Sequence, residues 1–117
     1  MPEVSGEVEI DGPPVAFPGC YVRFHLTATW TIRGGTYDVV IGARPEWGDL
    51  VIAHMERSSG PGSWSGYVTL KMIDEEGTYK IFGHLDIDPY LDYVVPTTIR
   101  IVKWPKFRWP WGSSRVP

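Results

Sequence analysis

The stretch from Tyr21 to Ile32 alternates without a break for twelve positions, and this limits the chain more than any other feature. Val22, Phe24, Leu26, Ala28, Trp30 and Ile32 fall on one side, and Tyr21, Arg23, His25, Thr27, Thr29 and Thr31 on the other. A helix of 3.6 residues per turn would scatter these apolar side chains around its circumference, whereas a strand places them all on one face. The segment is therefore a half-buried strand whose other face meets water.

Similar runs flank it, separated by Gly, Pro and Asp. Glu7–Asp11 turns Val8 and Ile10 inward and is stopped by Pro13, Pro14 and Pro18. After the turn Arg33-Gly34-Gly35, Thr36–Ala43 carries Tyr37, Val39, Ile41 and Ala43 on its apolar side. Pro45-Glu46-Trp47-Gly48 turns the chain again. Leu50–Glu56 reads as a strand of undetermined facing, because both of its alternate sets are apolar. Strand Trp64–Ile73 turns Trp64, Val68, Leu70 and Met72 inward, and Thr78–Ile87 does so with Tyr79, Ile81, Leu85 and Ile87. A last strand, Thr97–Lys103, contributes Ile99 and Ile101. About seven short strands at regular spacing, with no helical segment, make an all-β sandwich or barrel.

The segment Glu75-Glu76-Gly77-Thr78-Tyr79-Lys80-Ile81 chooses between them. It resembles the start of strand F in immunoglobulin domains, with Glu75 at the usual acidic position and Ile81 where the cysteine stands. Gly19 followed by Val22, Phe24 and Leu26 is similar to strand B, and the run through Leu85-Asp86 resembles the adhesion-type immunoglobulin-like modules of bacteria and archaea. The resemblance covers residues 7 to 103. It implies an immunoglobulin-like antiparallel sandwich in which the Tyr79 hydroxyl bonds back to the corner backbone. It carries no function, since this fold hosts binding, adhesive and structural roles alike.

Residues 1–103 are expected to form the sandwich and residues 104–117 an extended basic and aromatic tail. A chain of 117 residues buries roughly 65% of its unfolded surface and folds without cross-links. Its single cysteine, Cys20, excludes an intrachain disulfide and reads as a small buried hydrophobe. The start lacks the basic and apolar regions of a signal peptide, so synthesis in the cytoplasm is expected, with incorporation into a virion or other large assembly. The chain contains neither Asn nor Gln. Depletion of these thermolabile amides, together with Pro-rich loops, points to a thermophilic source.

Little in the sequence suggests catalysis. Gly62-Ser63-Trp64-Ser65-Gly66 has Trp64 where a nucleophile elbow needs serine, and no helix follows. His25, His54 and His84 belong to three different strands, which argues against a transition-metal cluster, and no cofactor is expected. Asp86, Asp88 and Asp92 form a minority candidate for Ca²⁺, which prefers several oxygen ligands on a turning chain. The preferred reading of these acids is a solvated face running into an Asp88-Pro89 turn.

The tail carries the functional reading. Trp104, Lys106, Phe107, Arg108, Trp109 and Trp111 alternate cations and aromatics, and Pro105 and Pro110 enforce an extended, polyproline-like path. Trp and Arg dominate the energetics of protein interfaces. The five cations beyond residue 99 contribute +5 to a net charge of −3, leaving −8 for residues 1–99. The tail is thus complementary to the body, either its own as a cap or that of another subunit. Single-stranded nucleic acid stacking on Trp104, Phe107 and Trp109 ranks lower because the acidic body repels phosphate, and a membrane interface ranks with it. The expectation is a non-enzymatic structural or interaction module, built of copies of itself or joined to a larger scaffold. Plausible settings are an accessory or decorating subunit of a thermophilic virus particle, or a surface filament. The rival is a carbohydrate-binding module, for which Tyr21, Tyr67 and Phe82 are the outward aromatic set.

Overall fold

The computed structural model describes residues 1–103; Trp104, Lys106, Phe107, Arg108, Trp109 and Trp111 lie outside the described residues. Eight strands follow in order: β1 (Glu3–Asp11), β2 (Val15–Ala16), β3 (Tyr21–Arg33), β4 (Tyr37–Pro45), β5 (Val51–Ser58), β6 (Gly62–Lys71), β7 (Gly77–Ile87) and β8 (Leu91–Ile101). They form a three-stranded sheet, β1-β3-β6, and a five-stranded sheet, β2-β8-β7-β4-β5. All pairings are antiparallel except the short one between β2 and β8. This is the expected sandwich, with one strand more than the sequence reading. The extra strand, β2, has two residues and lies between proline-bearing segments that hide any alternation.

The parity of β3 is as expected. Its inward residues, with Val39, Ile41, Val68, Leu70, Ile81, Leu85, Ile87, Ile99 and Ile101, form the buried core between the two sheets. Of the residues read as inward, Phe24, Leu26, Trp30, Val68, Leu70, Ile81 and Leu85 are all buried. Tyr79 is half-buried instead. Its hydroxyl lies 3.3 Å from both the Glu75 and Glu76 carbonyl oxygens, to which it donates, so the ring sits at the rim. The corner implied by the immunoglobulin resemblance is present, closed by Trp47 edge-on to Tyr79 at 5.3 Å. Trp64 is also only half-buried. It lies at the margin where β5 meets the other sheet, stacked on His54 at 5.0 Å with the rings 8° apart.

Two features of the chain path bear on the surface. Strand β4 pairs with β5 through Ile41↔His54 and then Gly42↔Ile52, so Ala53 is the extra residue of a bulge. That bulge is why β5 shows no clean alternation. Strand β8 begins at Leu91, six residues before the expected Thr97, and runs through Pro96. Proline is tolerated there because β2 covers only Arg100 and Ile101, which leaves the rest of β8 as a sheet edge. Gly34 has φ +87 in the β3–β4 turn, a left-handed conformation that suits glycine. At Gly6 a Cβ would come within 2.8 Å of Leu85 Cδ2, so glycine lets the two sheets approach there.

Leu26 is fully buried at the centre of the strand between β1 and β6. Leu26→Ala is expected to cost about 2–5 kcal/mol in a urea titration, the range for buried leucine truncations. A loss below about 1 kcal/mol would show that the core is not organised around β3.

Candidate functional site on the outer face of the five-stranded sheet

The two outer faces of the sandwich differ in chemistry. On the three-stranded sheet the outward positions are mostly Glu, Asp, Thr, Ser, Arg and Lys, with Tyr21 and Tyr67 among them. Tyr67, 59% exposed, is flanked by Arg23, whose guanidinium carbon lies 4.6 Å from the ring centroid, and by His25 at 5.0 Å. His25 Nε2 on β3 is 2.8 Å from Ser65 Oγ on β6, an exposed pair whose serine belongs to the Gly62–Gly66 segment. On an exposed sheet face such a pair has no means of excluding water from a reaction.

The outer face of the five-stranded sheet is more apolar. Register places Met55, Val40, Asp86 and Asp92 in one row across β5, β4, β7 and β8. The next row holds Ile52, Gly42, His84 and Val94, and the one after it Arg44, Phe82 and Pro96. Met55 is 55% exposed, Ile52 52% and Val94 41%. Scattered exposed apolar residues are ordinary, but Ile52 and Met55 lie together on β5 with Val40 beside Met55, while Val94 stands three strands away beyond Gly42 and His84. Arg44 lies over the Phe82 ring at 4.5 Å.

Phe82 therefore does not join Tyr21 and Tyr67, since it lies on the opposite sheet. The aromatic platform expected for sugar stacking is divided between the two outer faces.

A polar cluster sits beside the patch. His84 Nδ1 is 3.9 Å from Asp86 Oδ1 and 4.0 Å from Asp92 Oδ1. His84 Nε2 and Asp86 Oδ1 are buried atoms without a hydrogen-bond partner. Burial first, and the charge of Arg44 second, hold the His84 imidazolium below its ordinary range. Asp86 is pushed up to about 6, mainly by burial, then by a hydrogen bond shared with Asp92 and by the charges of Asp92 and Asp88. Among the described residues, the groups whose ligand atoms lie within reach of one ion are His84, Asp86 and Asp92. The grouping differs from the Asp86, Asp88 and Asp92 set read from the sequence: Asp88 sits exposed in the turn after β7, and an imidazole nitrogen joins the other two carboxylates. A mixed set of this kind suits Ca²⁺ less well than an all-oxygen one.

The sequence reading missed Ile52, Met55, Val94 and Arg44. For Ile52 and Met55 the signal was the doubly apolar β5, which a strand with one solvated face should not show.

The raised pKa of Asp86 has a direction in pH. The folded chain keeps this proton where the unfolded chain, near 3.8, has released it, so stability falls as pH rises from about 4 through about 6. Asp86→Asn is expected to raise the melting temperature at about pH 7.5 and to have little effect below about pH 4. Equal shifts at both pH values would show that the Asp86 charge is not under strain.

No protein-family model matches the chain, and no curated protein does. Solved structures do. A CARDB domain of Pyrococcus furiosus superposes with a TM-score of 0.52 at 17% identity, covering 87% of this chain and 96% of that one. A β-glucosidase of Erythrobacter marinus gives 0.52 at 12% identity over 86% of this chain. A β-glucosidase of Listeria innocua in complex with glucose gives 0.53 at 11% identity over 86% of this chain. The chain spans only 16% of each of these enzymes. Likenesses at such low identity speak to architecture, and the architecture is that of an immunoglobulin-like β-sandwich.

Proposed function

We propose that this chain is a non-catalytic interaction module of a larger assembly, and that it docks through the outer face of its five-stranded sheet. The observation that carries the reading is the contrast between the two outer faces. The three-stranded sheet is mostly polar and its exposed apolar groups are the hydroxyl-bearing Tyr21 and Tyr67, whereas the other exposes the aliphatic side chains of Ile52 and Met55 together on β5. Apolar burial contributes about 25 cal/mol per Å², so covering such a patch favours association with another protein surface. The likeness to the Pyrococcus furiosus CARDB domain extends over nearly all of both chains, which supports a self-contained module. The β-glucosidase likeness covers 16% of those enzymes and lends no support to catalysis.

The settings that fit are an accessory subunit of a particle or a surface filament, and the absence of Asn and Gln supports one that operates hot. The tail, with Trp104, Lys106, Phe107, Arg108, Trp109 and Trp111, belongs to the same reading, because its residue types are those that anchor protein interfaces. Nucleic acid, membrane and sugar remain rivals for it.

Sedimentation velocity over a concentration series tests the reading. The full chain is expected to self-associate, and Ile52→Asp with Met55→Asp to weaken association at least tenfold, about 1.4 kcal/mol, without lowering the melting temperature. Thr69→Asp, on the polar sheet, is the control and should change nothing. Equal effects from both sheets would remove the face from the account.

A further inference from the structure

Resting on that reading, we infer that the docking face receives the tail of a neighbouring copy, with Arg108 on the Asp86–Asp92 pair and Trp111 on the Ile52–Met55 patch.

The receiving face needs a cation. Asp86 and Asp92 are directly opposite one another across β7 and β8, an arrangement of like charges that destabilises a sheet. Their side chains are 30% and 77% exposed, so a cation from outside can reach the pair. A guanidinium offers five N–H donors in a planar fork and can serve two carboxylates at once. From Trp104 to Pro117 the tail has Lys106, Arg108 and Arg115 and no acidic side chain, so its charge complements the pair.

The spacing also matches. In a polyproline helix residues three apart share an edge and are about 9.3 Å apart, from three steps of 3.1 Å. Strands two places apart in a sheet are separated by about 9.6 Å. Arg108 and Trp111 are three apart, and Asp86 and Met55 share one row two strands apart, on β7 and β5. A tail crossing the strands therefore presents its cation and its indole where the face presents carboxylate and apolar side chain.

Reach decides that the tail comes from another copy. The chain leaves the sandwich at the end of β8, where the Val102 N–H donates to the Ala16 carbonyl at 3.0 Å and the Lys103 N–H to Glu76 Oε1 at 3.0 Å. Asp92 lies at the opposite end of β8, about 36 Å away at 3.3 Å per residue. Arg108 is five residues past Lys103, and five extended residues span at most about 18 Å. Even with its side chain added, the chain's own Arg108 falls short of its own Asp92. An exchange that closes gives a dimer or ring, and one that does not gives a filament.

Complementation between two full-length variants tests this. One carries an altered face, Met55→Asp with Asp92→Lys, and the other an altered tail, Arg108→Glu with Trp111→Ala. Circular dichroism checks that both fold, as expected on the face, where Met55 and Asp92 are exposed. Each alone should sediment as a monomer, and an equimolar mixture should form a species of twice 13.2 kDa, because one intact face meets one intact tail. A chain combining Asp92→Arg with Arg108→Asp should assemble again, which keeps the test informative if a double variant folds poorly. A mixture that stays monomeric while the unaltered chain assembles overturns the tail as occupant. The docking face survives that result if Met55→Asp alone dissolves the assembly. An unaltered chain that is monomeric throughout overturns both. Monomeric protein whose tail binds oligo-dT or phosphatidylserine vesicles also overturns the proposal.

Discussion

The burial of one side of β3 is the constraint on which the rest of the structure depends. This strand is the centre of the three-stranded sheet, paired with β1 on one side and β6 on the other. Its inward residues from Val22 to Ile32 are the floor on which β4, β7 and β8 pack. A slip of one residue in either ladder would put Arg23, His25 and the threonines into the core, so the register is held by the whole hydrophobic term at once. The five-stranded sheet is positioned by contact with that floor, and the Tyr79 corner fastens its end.

A sandwich fixed in this way has two outer faces, and evolution of the surface is free to differ between them. The three-stranded sheet presents mostly polar side chains, with the hydroxyl-bearing Tyr21 and Tyr67 among them. The other face combines an exposed apolar patch with two opposed carboxylates and a buried, unpartnered imidazole nitrogen. Each of these features costs stability in an isolated domain. Their concentration on one sheet is what a surface built to be covered looks like, and the basic, aromatic tail has the chemistry to cover it.

The strand pattern was legible because period-two alternation is a local property. Val22 through Ile32 could be assigned without knowing any partner, and Glu75 to Ile81 announced the corner through side-chain types alone. What was not legible depended on pairing. The facing of β5 requires the bulge at Ala53, which exists only against Ile41 and Gly42. Pro96 reads as a breaker until β8 is known to be an edge. Asp92 reads as a loop residue, although the β7–β8 hairpin register sets it opposite Asp86 and brings His84 to both. The proposed docking face is drawn from four strands separated in sequence, so no local pattern could show it.

The central claim is that the outer face of the five-stranded sheet receives the tail of another copy, and a photo-crosslinking amino acid placed at position 111 tests it most directly. Mixed ¹⁴N and ¹⁵N chains would be irradiated and the cross-linked peptides sorted by mass. The account predicts cross-links between copies, reaching the β5 peptide that contains Ile52 and Met55. Cross-links confined to single chains, or reaching β1, β3 or β6, would contradict it.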